Sequence, residues 1–390
     1  MLKNKLTAYL LSLGMMLSAD SSSASMDADQ EVTVKTVTLD QFQSLGEQPD
    51  LRQLMILKGL DTKTPHSIAG IHQYPLEELE IEFTRNLDSS PLGHLKRLNR
   101  LCVKGADMPT DPATITQMKA QLKIKVPKDN IYQFEFLRYL TNLTALQVAM
   151  GSFDLGVISG LPQLSQINLS YCDFSKTNPR FMEVFATLPS LRILKLELGR
   201  ELTDVSGLSK CMNLVTLIIP MTDVKSIEPL RGLPIQFLDV SGCGIKDISP
   251  LADLKKLQLL AVSEPAHEGW DGLRAHPSLR RIKVTTNVLL SPSPEKLAIV
   301  KQLDTIALDD PTPENLKLLE DADRIIGESE SYPTQVLKTV PQLEMIAVPE
   351  HPILREFLED FKKNNPNVVF GQFADWSMVD INSLPKNGEK

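Results

Sequence analysis

Ile235-Gln-Phe-Leu238-Asp-Val240 is followed by Leu257-Gln-Leu-Leu260-Ala-Val262 and then by Leu279-Arg-Arg-Ile282-Lys-Val284, so an apolar hexad of the form L/I-x-x-L/I-x-V returns every 22 residues. A coil that short cannot bury its own apolar edge. Its neighbours must stack on it, and stacking makes one continuous core. Working outward in both directions, hexads start at Val34, Leu51, Leu76, Leu98, Gln121, Leu143, Leu164, Leu191, Leu214, Ile235, Leu257, Leu279, Leu303, Ala322, Leu343 and Asn365. The first and last are degenerate, as capping coils are, and Gln121 and Ala322 are weak starts.

Alternation within each hexad predicts a short parallel strand with its first, fourth and sixth residues inward and its third, fifth and seventh outward. The return segments divide into two kinds. Asp204-Val-Ser-Gly-Leu208, Ser226-Ile-Glu-Pro-Leu230 and Asp247-Ile-Ser-Pro-Leu251-Ala-Asp-Leu254 read as tight turns. Segments starting at Ser293-Pro, Thr312-Pro and Tyr332-Pro read as helices with proline at the first helical position.

These hexads, with Cys172, Cys243 and Asn287 at the ninth position of their repeats, resemble leucine-rich repeats. The Asp247–Leu254 turn is similar to that of the 22-residue class in bacterial internalin-like proteins. The resemblance covers roughly residues 34 to 370 and implies an α/β solenoid. One curved parallel sheet would line its concave side, with short helices or turns on the convex side. It also implies a protein-binding rather than a catalytic role. The run of regular 22-mers is short for an internalin. Leu384-Pro-Lys-Asn-Gly388 departs from a sortase signal, with Asn in place of Thr and no apolar span after it.

The N-terminus reads differently. Lys3 and Lys5 precede an apolar run from Leu6 to Leu17 and a small-residue stretch, Ser21-Ser-Ser-Ala-Ser25, which is the pattern of a secretory signal too short to span a bilayer. The expected organisation is a signal peptide over residues 1–25, an N-terminal cap over 26–50, repeats over 51–364, and a C-terminal cap and tail over 365–390. A secreted or periplasmic location follows, with no integral membrane segment in the mature chain. A net charge of −8 argues against a nucleic-acid partner. Cys172 and Cys243 lie three coils apart, roughly 14 Å at a ~4.8 Å strand spacing. Disulfide bonding needs Cα atoms within about 7 Å, so these two do not pair.

The outward columns predict the binding surface. The strand after Leu76 presents Glu78, Glu80 and Glu82; the next presents Arg100, Cys102 and Lys104, and the one after it Lys123 and Lys125. This reads as a self-satisfying ladder of charges or as a charged-ligand site. In the central coils Ile193, Ile218, Phe237 and Leu259 fall on outward positions, with Lys195, Asp239, Arg281 and Lys283 around them. A contiguous apolar patch with a polar rim is the mark of a protein contact, and these eight residues are the candidate site.

Chemistry is sparse. Glu264-Pro-Ala-His267-Glu268-Gly-Trp270-Asp271 with His276 carries metal-capable groups on a convex turn, without the paired histidines of a H-E-x-x-H helix. His66, His72, His94 and His351 are scattered over distant coils, and no Walker loop, G-x-S-x-G or dinucleotide fingerprint occurs. No cofactor or metal is expected. The reading is an exported, non-enzymatic protein that binds a protein ligand through its concave sheet. Two alternatives stand beside it: a hydrolase acting from the 264–276 turn, and a carbohydrate- or envelope-binding structural protein.

Overall fold

The computed structural model describes residues 33–57, 66–84, 87–105, 132–149, 151, 153–170, 172, 180–197, 202–262, 269–284, 332–347, 361–363 and 365–371. The chain divides into two compact units, Met1–Thr222 with Asp380–Lys390, and Asp223–Val379.

In the first unit the strands are β1 (Thr33–Thr38), β2 (Leu51–Leu57), β3 (His66–Ser67), β4 (Glu78–Phe83), β5 (Leu87–Asp88), β6 (Arg100–Gly105), β7 (Ala145–Ala149), β8 (Gln166–Ser170), β9 (Ile193–Glu197) and β10 (Thr216–Ile218). All but β3 and β5, which pair with each other, join one parallel ladder in the order β1-β2-β4-β6-β7-β8-β9-β10. The register aligns Leu54, Leu79, Leu101, Leu146, Ile167, Leu194 and Leu217 in one column and Ile56, Ile81, Val103, Val148, Leu169 and Leu196 in another. Every one of these side chains is buried. They are the fourth and sixth residues of their hexads, and the first residues, Leu51 through Leu214, are buried with them. Aliphatic residues at period two bury one face of a strand, and identical spacing in the next coil puts the same residue type at the same level. A short helix, α1 (Leu39–Phe42), follows β1 and begins with a capping box between Thr38 and Gln41.

The second unit continues the pattern with β11 (Phe237–Asp239), β12 (Leu259–Val262), β13 (Arg281–Val284), β14 (Met345–Ala347) and β15 (Val369–Gly371). Leu238, Leu260, Ile282 and Ile346 make its inward column, all buried. The helix expected from Tyr332-Pro is present as α2 (Tyr332–Leu337). The turns read from Asp204, Ser226 and Asp247 are 3-10 turns at Ser206–Lys210, Glu228–Leu230 and Ser249–Asp253. In each unit this is a leucine-rich-repeat architecture.

An aspartate opens several of these turns. Asp88, Asp154, Asp204 and Asp247 accept a hydrogen bond from the backbone N–H two residues on, at 3.0, 2.9, 2.8 and 2.8 Å, and the Ser226 hydroxyl does the same at 3.2 Å. Each satisfies an N–H that a one-turn helix leaves without an internal partner. Coils are also tied across their edges. Asn142, Ser190, Asn213 and Ser278 donate to the carbonyls of Lys96, Pro162, Pro189 and Lys255.

Two sheet positions differ from the sequence reading. β6 pairs directly with β7, so β7 takes the place expected of the Gln121 hexad with Lys123 and Lys125. β13 pairs directly with β14, so the hexads at Leu303 and Ala322 do not stand between them. An apolar hexad marks an amphipathic segment and does not by itself place that segment in the sheet. Residues 106–131 and 285–331 themselves lie outside the described residues, as do the signal-like segment, the helices read at Ser293 and Thr312, Asn287 and the Leu384–Gly388 motif. An aromatic cluster sits where β6 meets β7. The Tyr132 and Phe134 rings stack at 5.4 Å, and Phe83, Phe136 and Phe153 pack around Phe134 at 5.1, 5.5 and 5.0 Å.

Candidate functional site

In the first unit the outward positions of β4 and β6 form a cross-strand charge ladder. Arg100 Nε lies 3.8 Å from Glu78 Oε1, and Lys104 Nζ donates to Glu80. Opposite charges on adjacent strands stabilise the pair by a few tenths of a kcal/mol. Cys102, between them in sequence, aligns with Glu80 on one side and Gln147 on the other. Burial, then the Glu80 charge, push its thiol pKa up to about 12, so the thiol stays protonated.

The ladder changes character along β7, β8, β9 and β10. One outward column runs Gln147, Asn168, Lys195, Ile218, and another runs Ala145, Gln166, Ile193, Thr216. Gln147, Asn168, Ser170, Lys195, Thr216 and Ile218 are buried here, whereas Glu78, Glu80, Arg100 and Lys104 on the same face are half-buried. Lys195 keeps its charge compensated by Glu197 at 3.0 Å, and the Ser170 hydroxyl donates to Asn168 Oδ1 at 2.7 Å. The sequence reading placed Asn168 on the sheet face, but counted neither it nor Gln147 and Ser170 among the candidate residues.

In the second unit Phe237, Leu259, Arg281 and Met345 share one outward column, and Asp239, Ala261, Lys283 and Ala347 the other. Asp239 Oδ1 accepts from the Ser241 N–H at 2.9 Å, and Arg281 Nε lies 3.9 Å from Glu344 Oε2.

All eight candidate residues therefore stand on outward columns, Ile193, Lys195 and Ile218 in the first unit and Phe237, Asp239, Leu259, Arg281 and Lys283 in the second. Their exposure differs from the sequence expectation. Ile218, Phe237 and Leu259 are only 6%, 5% and 2% exposed, while Ile193, Asp239, Arg281 and Lys283 are half-buried. An open apolar patch is thus not what these side chains make. Successive side chains of one column stand a strand spacing apart, ~4.8 Å, and screen one another from solvent.

The turn considered for catalysis is described from Gly269 onward; Glu264, His267 and Glu268 lie outside the described residues. Trp270 and His276 are buried in the core of their coil, and Asp271 is ion-paired to Arg274 at 2.9 Å. His72 and His94, read as lying on distant coils, instead meet edge to face on neighbouring turns with ring centroids 6.0 Å apart. Among the described residues no group of three or more His, Cys, Asp or Glu side chains is arranged to hold a metal ion, and no helix is long and apolar enough to cross a membrane. No disulfide joins any of the four cysteines.

No family model and no curated protein matches the chain. Among solved structures it is similar to internalin C2 of Listeria monocytogenes, with 25% identity over 38% of this chain and 65% of that one at a TM-score of 0.32. The match thus spans just under two thirds of that protein's length. An internalin F of the same organism is 13% identical over 93% of this chain and 94% of its own, with a TM-score of 0.43. A leucine-rich-repeat protein of Leptospira interrogans is 13% identical over 87% and 89%, with a TM-score of 0.37.

Proposed function

We propose that this leucine-rich-repeat protein is exported to a secreted or periplasmic location, has no enzymatic role, and binds a protein partner through the concave face of its sheet. One observation carries the reading. The inward columns are uniformly aliphatic and buried, so they are committed to the core. The outward columns change chemistry from strand to strand, from the Glu78–Lys104 ion pairs to the Gln147–Ser170 polar set to Phe237 and Leu259 beside Arg281 and Lys283. Recognition needs such variety on a rigid frame, whereas a stacked core does not. The N-terminal pattern of Lys3, Lys5, Leu6 to Leu17 and Ser21 to Ser25 supports export.

The test is cross-linking of the purified chain to its native surroundings, followed by affinity measurement with the recovered protein. Lys283→Ala is expected to slow association more than it speeds dissociation, as a rim charge does. Retention on polysaccharide with no protein captured would replace this reading with the carbohydrate-binding one. Hydrolytic activity that survives in the purified chain would replace it with the enzymatic one.

A further inference from the structure

In most coils the N–H of the first hexad residue closes the turn before its strand by donating to a backbone carbonyl three residues back. Leu98 donates to Leu95, Leu143 to Leu140, Leu191 to Leu188, Leu214 to Cys211, Leu257 to Leu254 and Leu343 to Val340. The coil that enters β13 is built differently. The Leu279 N–H donates to the imidazole Nδ1 of His276 at 3.2 Å, and the Ser278 N–H points to the same atom at 3.4 Å. A side chain has replaced the carbonyl, at a position where other coils carry Leu95, Leu140, Leu161, Leu188 or Leu254.

That replacement fixes the protonation state. Nδ1 accepts only while it carries no proton, so the ring is neutral with its hydrogen on Nε2. His276 is 2% exposed, and its Nε2 is buried. Charge on the neighbouring turn disfavours a positive ring. Lys255 is a like charge there, and Asp271 and Arg274 on the ring's own turn are paired to each other at 2.9 Å. The backbone carbonyls of Leu254 and, more weakly, Leu251 favour the cation, against the effects of burial and Lys255.

We propose that residues 274–279 form an acid-opened latch: a proton on His276 turns the acceptor of the Leu279 and Ser278 N–H groups into a donor facing them, and the turn that feeds β13 opens. The opening reaches the following coil. Ala275 holds a left-handed φ of 50°, a backbone conformation that strains a non-glycine residue. Its N–H donates to Thr339 Oγ1 at 2.9 Å, and Thr339 in turn donates to Val336 of α2 at 2.7 Å. Release of the turn relaxes Ala275 and removes the tie to α2.

Burial lowers the His276 pKa from its ordinary 6.5, and the Lys255 charge adds to that effect. The folded state therefore binds fewer protons than the open one between the folded pKa and 6.5. Closure is complete above about pH 6.5 and weakens as pH falls below it, by up to about tenfold in the opening equilibrium per pH unit for one proton.

Amide hydrogen exchange on the full chain between pH 8 and pH 4.5, corrected for the intrinsic pH dependence of exchange, tests this directly. Protection at Ser278, Leu279 and β13 is expected to fall as pH drops below 6.5, by up to about tenfold per unit until the folded-state pKa is reached. His276→Asn supplies a side-chain acceptor that does not titrate, and His276→Leu restores the residue of the other coils. In either variant protection at β13 is expected to stay flat with pH, while His94→Ala is expected to behave as the parent chain does. A flat profile in the parent chain would overturn the latch, as would an acid opening that persists unchanged in His276→Asn.

Discussion

Leu238→Ala probes the stacked core at its clearest point. The side chain is fully buried, level with Leu260 and two strands from Ile282, both equally buried. Truncation removes three carbon atoms, about 2.4 kcal/mol at ~0.8 kcal/mol per buried methylene. The inward column is made of backbone-anchored strands that close up only partly. A residual cavity of roughly 50 Å³ at ~24 cal/mol per Å³ adds about 1 kcal/mol. The expected loss is therefore about 3–4 kcal/mol in urea unfolding followed by circular dichroism. Coils support only their neighbours, so hydrogen exchange should accelerate first across β11 and β12 and least in β2 and β4. A loss below about 1 kcal/mol would refute the inward placement of this column. Uniform acceleration along the whole chain would refute the nearest-neighbour reasoning.

Phe237→Ala is expected to cost about 3 kcal/mol of stability, because this outward residue is almost as buried as a core phenylalanine; an unchanged urea midpoint would show that the ring is open to solvent. Gly207→Ala places a Cβ 2.5 Å from the Met182 carbonyl carbon and 2.8 Å from the Glu183 nitrogen. The 3-10 turns Phe181–Thr187 and Ser206–Lys210 must then separate, which is expected to cost about 1–3 kcal/mol, seen as a lower thermal midpoint. Burial pushes the Cys172 thiol up to about 12 and the Cys211 thiol to about 11. With Cys102 also near 12, iodoacetamide at pH 8 is expected to label none of these three in the native protein and all of them in urea; rapid native labelling at Cys172 would contradict the burial.

The inward columns were legible because one physical requirement repeats. A leucine at the first hexad position and aliphatics at the fourth and sixth bury a strand edge in every coil, and the register from β2 to β10 and from β11 to β14 follows from that alone. Pairing partners were less legible. A hexad reports that a segment is amphipathic, but not that it reaches the sheet, and the apolar pattern at Leu303 is as good as that at Leu343 while β13 pairs with β14. Exposure was not legible at all for Ile218, Phe237 and Leu259. A side chain's direction follows from alternation, but its contact with water depends on the size of its column neighbours. His276 carried a readable signal that was set aside. Aligned on its hexad it stands where Leu254 stands one coil earlier, and a histidine at a leucine site needs an acceptor role or a partner to stay buried.

The charges on the outward face of the first unit bear on how a partner would be held there. Arg100 faces Glu78, Lys104 faces Glu80 and Lys195 faces Glu197, so each cation has an anion of the same sheet within reach. A partner that used any of these cations would first have to displace its carboxylate, and the gain would be the difference between two similar pairings. Lys195 is the extreme case, because its ammonium is buried and losing Glu197 would leave a charge uncompensated. Binding at this face should therefore rest on shape and on uncharged contacts rather than on these cations, and its affinity should depend only weakly on salt. The expected change between 50 mM and 500 mM salt is less than about tenfold, against 10³ or more for a surface that neutralises several charges. A steep salt dependence, retained in Lys283→Ala and lost in Lys104→Ala, would show that the ladder's cations engage the partner directly and that their pairing within the sheet is no barrier to it.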